Sequence, residues 1–273
     1  MIAERGSVGP GLRMSCGARP LIVATVEPTA FVVFVTFMVL IACLLGAGAA
    51  RAQQPVQVPS LDRERGAAVM LPGTWFAAAA RGPGAAEGRR PAMLLMHGCG
   101  GLFDRQGGLA DRYTELAAQL NAMGIHVLVT DSLTPRGEKE LCTQRTGQRQ
   151  VTQLNRRRDA LGALAWLAAQ PGVDPARLGL LGWSNGGSTV LSSTNLEHDE
   201  VARSAVRPSL AVAFYPGCEA ELKRGYRPAA PLLMLLGEAD DWTAAAPCKA
   251  LAAGAAAAAV AVAAPSPVSA SAS

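Results

Sequence analysis

The sequence predicts an α/β fold with a doubly wound, mostly parallel sheet, and three observations carry that expectation. Short apolar runs of strand length recur at 92–96, 126–130, 178–181, 210–214 and 232–236. Unbroken runs of this kind suit strands buried on both faces, as in a parallel sheet covered by helices. Segments with helical spacing of apolar residues separate them, and strand-helix alternation builds right-handed crossovers on one sheet. The chain has 273 residues, half of them apolar and 17% charged, which is enough for one substantial core.

The first 52 residues stand apart from that pattern. From Thr29 the chain reads TAFVVFVTFMVLIACLLGAGAA, with no charge. Ala50 and Ala52 flank Arg51 as in an A-x-A cleavage site, so 1–52 reads as a signal peptide that leaves Gln53 as the mature N-terminus. An uncleaved membrane anchor is the rival reading, because about 20 apolar residues span a bilayer. LIAC, ending at Cys43, resembles a lipobox, although the apolar residues after it argue against that use. Every version exports the body to the periplasm or beyond, with membrane contact only if 29–50 stays uncleaved. Arg5, Arg13 and Arg19 lie far from the apolar run, which hints at a start codon further downstream.

Residues 53–250 form the expected domain. Its opening is rich in Gly, Ala, Pro and Arg, with weak strand candidates at 67–71 and 74–79. LADRYTELAAQLNAMG, from Leu109, has helical spacing and ends on Gly124, a natural C-cap. VTQLNRRRDALGALAWLAAQPGVD, from Val151, does the same and stops at Pro171 and Gly172. Its basic cluster NRRRD, residues 155–159, reads as a solvated helix face. The segment 251–273, LAAGAAAAAVAVAAPSPVSASAS, has no charge, aromatic residue or His. It is expected to be a low-complexity tail, disordered after a short alanine helix.

Charge excludes one class of partner. The net charge of +4 is small and the Arg residues are scattered, so no basic stripe or aromatic platform offers itself to nucleic acid. Export gives the cysteines a meaning. Cys16 and Cys43 precede the cleavage site, leaving Cys99, Cys142, Cys218 and Cys248 for up to two disulfides in an oxidising compartment. Three connectivities are open; Cys218 with Cys248 and Cys99 with Cys142 is the expected pairing, and buried free thiols are the alternative.

The chemistry centres on Gly182-Trp183-Ser184-Asn185-Gly186, a G-x-S-x-G pattern. Such a turn strains the Ser backbone at a strand-to-helix junction, and its glycines let neighbouring chain approach. The apolar strand LGLL before it and the small residues GGSTV after it are the required context. An oxyanion formed at Ser184 would meet the N–H of Asn185. The loop in LLMHGCGGLFD, from Leu94, offers the second donor, the N–H of Cys99 with Gly100 as alternative. Cys99 lacks an elbow and a base, so it reads as structural rather than nucleophilic. His97 reads as a loop-shaping residue. LMLLGEADDWT places Asp240 after a strand as the orienting acid, with Asp241 in reserve; both could instead form a turn with an Asp helix cap.

Taken together, HGCGGL, DSLTPRGEKELCTQ, RRDALGALAWLAAQPGVDPARL, GWSNGG, FYPGC and LLGEADDWTAAAPCKAL resemble an exported branch of the dienelactone hydrolase family, within the α/β-hydrolase superfamily. The resemblance covers roughly residues 92–251. Founding members carry Cys at the elbow; with Ser184 there, this chain resembles the serine branch. What the resemblance implies is hydrolysis of small esters or lactones through an acyl-enzyme, without metal or organic cofactor. Arg side chains orient the substrate in carboxylate-binding members, and Arg136 is the candidate here, with a structural salt bridge as the other reading.

The resemblance also implies a His downstream of the Asp, and none is present. His97, His126 and His198 all precede Asp240, so the chain order Ser, Asp, His is not completed. His126 is expected at the far end of its strand, and His198, in LEHDE, is expected to be exposed. The abrupt change of composition after Leu251 suggests a shifted reading frame, with the final strand, final helix and catalytic His lost together. A sheet left so would expose one edge and one face.

Overall fold

The fold begins with an antiparallel hairpin that the sequence announced only in part. The computed structural model describes residues 53–79 and 88–263. In it β1 (Gln54–Glu64) pairs with β2 (Ala67–Phe76) around Arg65 and Gly66, both at positive φ. The two weak strand candidates are therefore one strand, and β1 is new. Pro55 and Pro59 break its apolar pattern, which an edge strand tolerates. Two of its inward residues, Ser60 and Asp62, are polar and buried, so no hydrophobic alternation marked them.

Among the described residues, the remaining strands and α-helices are β3 (Arg90–Met96), α1 (Asp111–Ala122), β4 (His126–Thr130), α2 (Gln153–Ala168) and β5 (Val173–Trp183), followed by α3 (Asn185–Thr194), α4 (Asp199–Ala202), β6 (Leu210–Phe214), α5 (Glu219–Arg224), β7 (Leu232–Leu235) and α6 (Ala245–Ala263). Seven strands among the described residues run in the order β1-β2-β4-β3-β5-β6-β7, with the last five parallel. Successive residues of β3 and β4 point to opposite faces and both faces are apolar. Leu94, Met96 and Leu128 pack with Ala160, Leu164 and Leu167 of α2, while Met93, Leu95, Val127 and Val129 pack with Tyr113, Ala117 and Leu120 of α1. α1 ends as expected, with Gly124 at φ 83°. α2 lies so close to β1 that a Cβ on Gly162 would meet the Pro59 carbonyl oxygen at 2.3 Å.

Three expectations are corrected. The NRRRD run is not a solvated face: Arg156 and Asp159 are fully buried and Arg157 is 8% exposed. The charges of Asp159, Arg157 and Arg158 meet partners from other elements. Arg136 holds Asp159 with both terminal nitrogens at 2.8 and 2.9 Å and Asp62 at 3.0 Å, while Arg158 reaches Asp62 at 3.2 Å and Glu200 at 2.7 Å. The alanine helix is not short: α6 continues to Ala263, with Cys248 and Leu251 buried beneath its first turns. His198 is buried rather than exposed.

The 1–52 leader and residues 264–273 of the expected tail lie outside the described residues. Among the described residues, no helix is long and apolar enough to cross a membrane. On the α1 side of the sheet, Leu210 of β6 and Leu233 and Leu235 of β7 stay exposed, at 43, 57 and 41%. Disulfides join Cys99 to Cys142 and Cys218 to Cys248.

Candidate active site

β5 delivers Ser184 to the C-terminal edge of the parallel strands, where ligands of such sheets bind. Ser184 has φ 52° and ψ −118°, a left-handed backbone that a non-glycine residue holds only when its surroundings impose it. Those surroundings are visible. The Ser184 N–H donates to the Phe214 carbonyl at 2.9 Å, tying the turn to the end of β6. A Cβ on Gly182 would sit 2.3 Å from the Gly186 carbonyl oxygen, and one on Gly186 would sit 2.2 Å from that of Met96. The turn therefore closes only with glycine on both sides.

Asn185 is the first residue of α3, so its N–H has no acceptor within the helix. The loop after β3 lies alongside: a Cβ on Gly98 would contact the Trp183 carbonyl oxygen at 3.4 Å and the Ser184 Cβ at 3.7 Å. Cys99 follows, its carbonyl accepting from the Leu141 N–H at 2.7 Å and its sulfur bonded to Cys142. Ser184 lies between two depressions. One, of about 370 Å³, is lined by Cys99, Arg149, Gln153, Asn185, Glu219 and Trp242 among others. The other, of about 280 Å³, lies toward Gly98, Gly101, Arg112 and Tyr113.

The loop after β7 borders the larger depression through Trp242 and Thr243. Asp240 shapes that loop. Its carboxylate accepts from the Trp242 and Thr243 N–H groups at 2.9 Å each and from the Thr243 hydroxyl at 2.6 Å. The Thr243 hydroxyl, then its N–H, hold the Asp240 carboxyl below the usual carboxylate range. This is the turn geometry that the sequence offered as the alternative to a triad acid. Asp241 is exposed.

The three histidines lie elsewhere. His97 is fully buried beneath the loop after β3, with Nδ1 on the Gly98 carbonyl at 2.7 Å and Nε2 accepting from the Ser132 N–H at 3.2 Å. Both ring nitrogens are spent on the backbone, the loop-shaping part expected of it. Burial, then the nearby Arg156 charge, hold its pKa well below the ordinary histidine value. His126 accepts from the Ala78 N–H and stacks on Trp75, at the start of β4. His198 meets both carboxylate oxygens of Glu221, at 3.0 and 3.1 Å. Among the described residues, no His lines either depression beside Ser184.

Arg136 is likewise committed, to Asp62, Asp159 and the Ser132 carbonyl, so it turns away from the substrate-orienting use considered for it. Arg156 was not singled out. It donates to the Asn185 side chain at 2.5 Å and to the His97 carbonyl at 2.7 Å. Helical spacing was the available signal, since Arg156 shares a stripe with the buried Ala160, Ala163, Leu164 and Leu167.

A strained serine between a parallel strand and a helix is the arrangement that α/β hydrolases share, and the fold is theirs. The model of the dienelactone hydrolase family matches residues 76–264, most of the chain, and the chain belongs to that family. No curated protein matches it. Among solved structures it is similar to a dienelactone hydrolase-like promiscuous phosphotriesterase from metagenomic libraries, with a TM-score of 0.54, 22% identity, and 74% of this chain and 76% of that one covered. A lipase/esterase from Lactobacillus plantarum gives 0.54 and 13%, covering 74% and 84%. A puromycin-hydrolyzing peptidase from Mycobacterium tuberculosis gives 0.56 and 18%, covering 77% of this chain; the chain spans 35% of that protein's length.

Proposed function

We propose that the chain is an exported hydrolase of small carboxylic esters or lactones, working through an acyl-enzyme on Ser184. The observation that carries the reading is the Ser184 backbone, held at φ 52° by the close approach of Gly182 and Gly186 to neighbouring carbonyls. Ser184 Oγ would bond to the carbonyl carbon, and the oxyanion so formed would accept from the N–H groups of Asn185 and Cys99, with Gly100 as the alternative to Cys99. Collapse of that intermediate expels the alcohol, or opens the lactone, and water then releases the acid. Asp240 is the orienting acid in this scheme. Neither a metal nor an organic cofactor enters any step. The two disulfides support an oxidising compartment.

The step without a named partner is removal of the Ser184 proton. The described histidines are spent on Gly98 and Ser132, on Ala78 and Trp75, and on Glu221. That observation supports a second reading, an inactive or binding protein on the same fold. Hydrolysis of p-nitrophenyl acetate and of a six-membered lactone separates the two. The first reading predicts turnover that Ser184→Ala removes, at a rate several orders of magnitude below that of a complete triad. Turnover equal in Ser184→Ala, or none, favours the second.

A further inference from the structure

Arg156 poses a question that packing alone does not answer. It is a cation with no exposed surface on the inner stripe of α2. Its neighbours Arg157 and Arg158 pair with Glu200, and Arg158 also with Asp62. Arg156 has no carboxylate in ion-pair contact among the described residues, and its Nε has no hydrogen-bond partner. Burial lowers its pKa to about 10, which still leaves it charged at neutral pH. A buried, unpaired charge is costly, and an apolar side chain on this stripe would avoid that cost. Something about the two acceptors it does reach must account for it.

Those acceptors lie on opposite arms of the oxyanion cradle. Nη1 donates to Asn185 Oδ1 at 2.5 Å, on the residue whose N–H follows the nucleophile. Nη2 donates to the His97 carbonyl at 2.7 Å, one residue before Gly98, where a Cβ would come within 3.7 Å of Ser184 Cβ, and two residues before Cys99. The arms are 88 residues apart in sequence and belong to the loop after β3 and the start of α3. A guanidinium is a rigid planar fork, so two donors of one group fix the spacing of two acceptors in a way that an ammonium on a flexible stem does not.

We propose that Arg156 is a positioning residue of the site, clamping the Asn185 and Cys99 arms at the separation that an oxyanion requires. The inference rests on the Ser184 reading.

The test uses the full chain and compares wild type, Arg156→Met, Arg156→Lys and Ser184→Ala. One readout is the rate of Ser184 labelling by a fluorophosphonate. The other is amide hydrogen exchange over 94–103 and 184–190, with β6 and β7 as the internal reference. Arg156→Met is expected to slow labelling about tenfold to a hundredfold, the scale of a misplaced site, and to speed exchange in both segments but not in the reference. Arg156→Lys, which keeps the charge and loses the fork, is expected to fall between. A folded Arg156→Met or Arg156→Lys protein that labels and exchanges as wild type does overturns the proposal, as does faster exchange spread evenly over the molecule. If wild type itself is not labelled, the Ser184 reading fails instead, and exchange confined to the two arms still decides the clamp.

Discussion

The two halves of the candidate site are built differently. On the side of the proposed oxyanion donors, Ser184, Asn185 and the loop 97–101 are held by close backbone packing, a disulfide, and three side chains, His97, Arg156 and Gln153, the last donating to the Asn185 carbonyl at 3.2 Å. On the acid side, Asp240 lies on a loop beside an exposed Trp242, and its carboxylate serves its own turn. The sheet repeats the contrast: β3 and β4 are sealed by helices on both faces, whereas β7 leaves Leu233 and Leu235 exposed. The difference teaches that the Ser184 turn and the loop beside it are organised by the core itself and do not depend on the loop that carries Asp240. Perturbations should therefore be severe on one side and local on the other.

The largest effect is expected at the elbow. In Gly186→Ala the new methyl carbon would stand 2.2 Å from the Met96 carbonyl oxygen and 2.5 Å from that of His97, both rigid backbone. A loss of roughly 3 kcal/mol or more in urea unfolding is expected, with no labelling of Ser184. A stable, labelled Gly186→Ala protein would show that the elbow is looser than its contacts indicate.

Next come the cross-links. The Cys99–Cys142 bond closes a separation of 43 residues and Cys218–Cys248 one of 30, so removing either pair with Ala should cost about 2–4 kcal/mol. The comparison is sharpened by reactivity. Cys99→Ala/Cys142→Ala keeps the residue 99 N–H but frees its loop and should slow labelling, whereas Cys218→Ala/Cys248→Ala should lower the melting temperature with a smaller change in labelling. Equal effects would erase the distinction.

His97 gives the oxyanion side a pH signature. Its folded pKa is held well below the ordinary 6.5, by burial first and the Arg156 charge second. Below pH 6.5 the unfolded chain takes up a proton that the folded chain refuses, so stability falls as pH drops from 6.5 toward the folded value and is flat above it. The limiting slope is about 1.4 kcal/mol per pH unit for one proton. Urea midpoints at several pH values check this, and a His97→Asn protein that folds should lose that contribution to the slope.

The smallest effect is expected on the acid loop. Asp240→Ala removes the acceptors of Trp242 and Thr243 and should speed chymotryptic cleavage after Trp242, leaving the cooperative unfolding of the body nearly unchanged. A large fall in global stability would mean that the loop supports the core after all.

Much of this contrast could be read from the sequence and some could not. The apolar runs at 126–130 and 210–214 coincide with β4 and β6, because strands covered on both faces must be apolar throughout. The elbow was legible because close backbone contacts demand its glycines, Gly182 against Gly186 and Gly186 against Met96 and His97, and so write a fixed G-x-S-x-G pattern into the sequence. Legibility stopped where burial is polar. Ser60 and Asp62 hid β1, and Arg156 and Asp159 passed for a solvated face, since only the folded arrangement shows that Arg136, Asn185 and His97 wait for them. His198 was hidden for the same reason, through its contact with Glu221.

The central claim is that Ser184 has a formed cradle but no imidazole beside it among the described residues. Fluorophosphonate labelling of Ser184 followed from pH 5.5 to 9, with Ser184→Ala as the control, tests it most directly. The account predicts slow labelling that vanishes in Ser184→Ala and rises steadily with pH, as expected when hydroxide removes the proton. No labelling at any pH would contradict the cradle, and a rate that levels off above an inflection near 6.5 would contradict the absence of a histidine base.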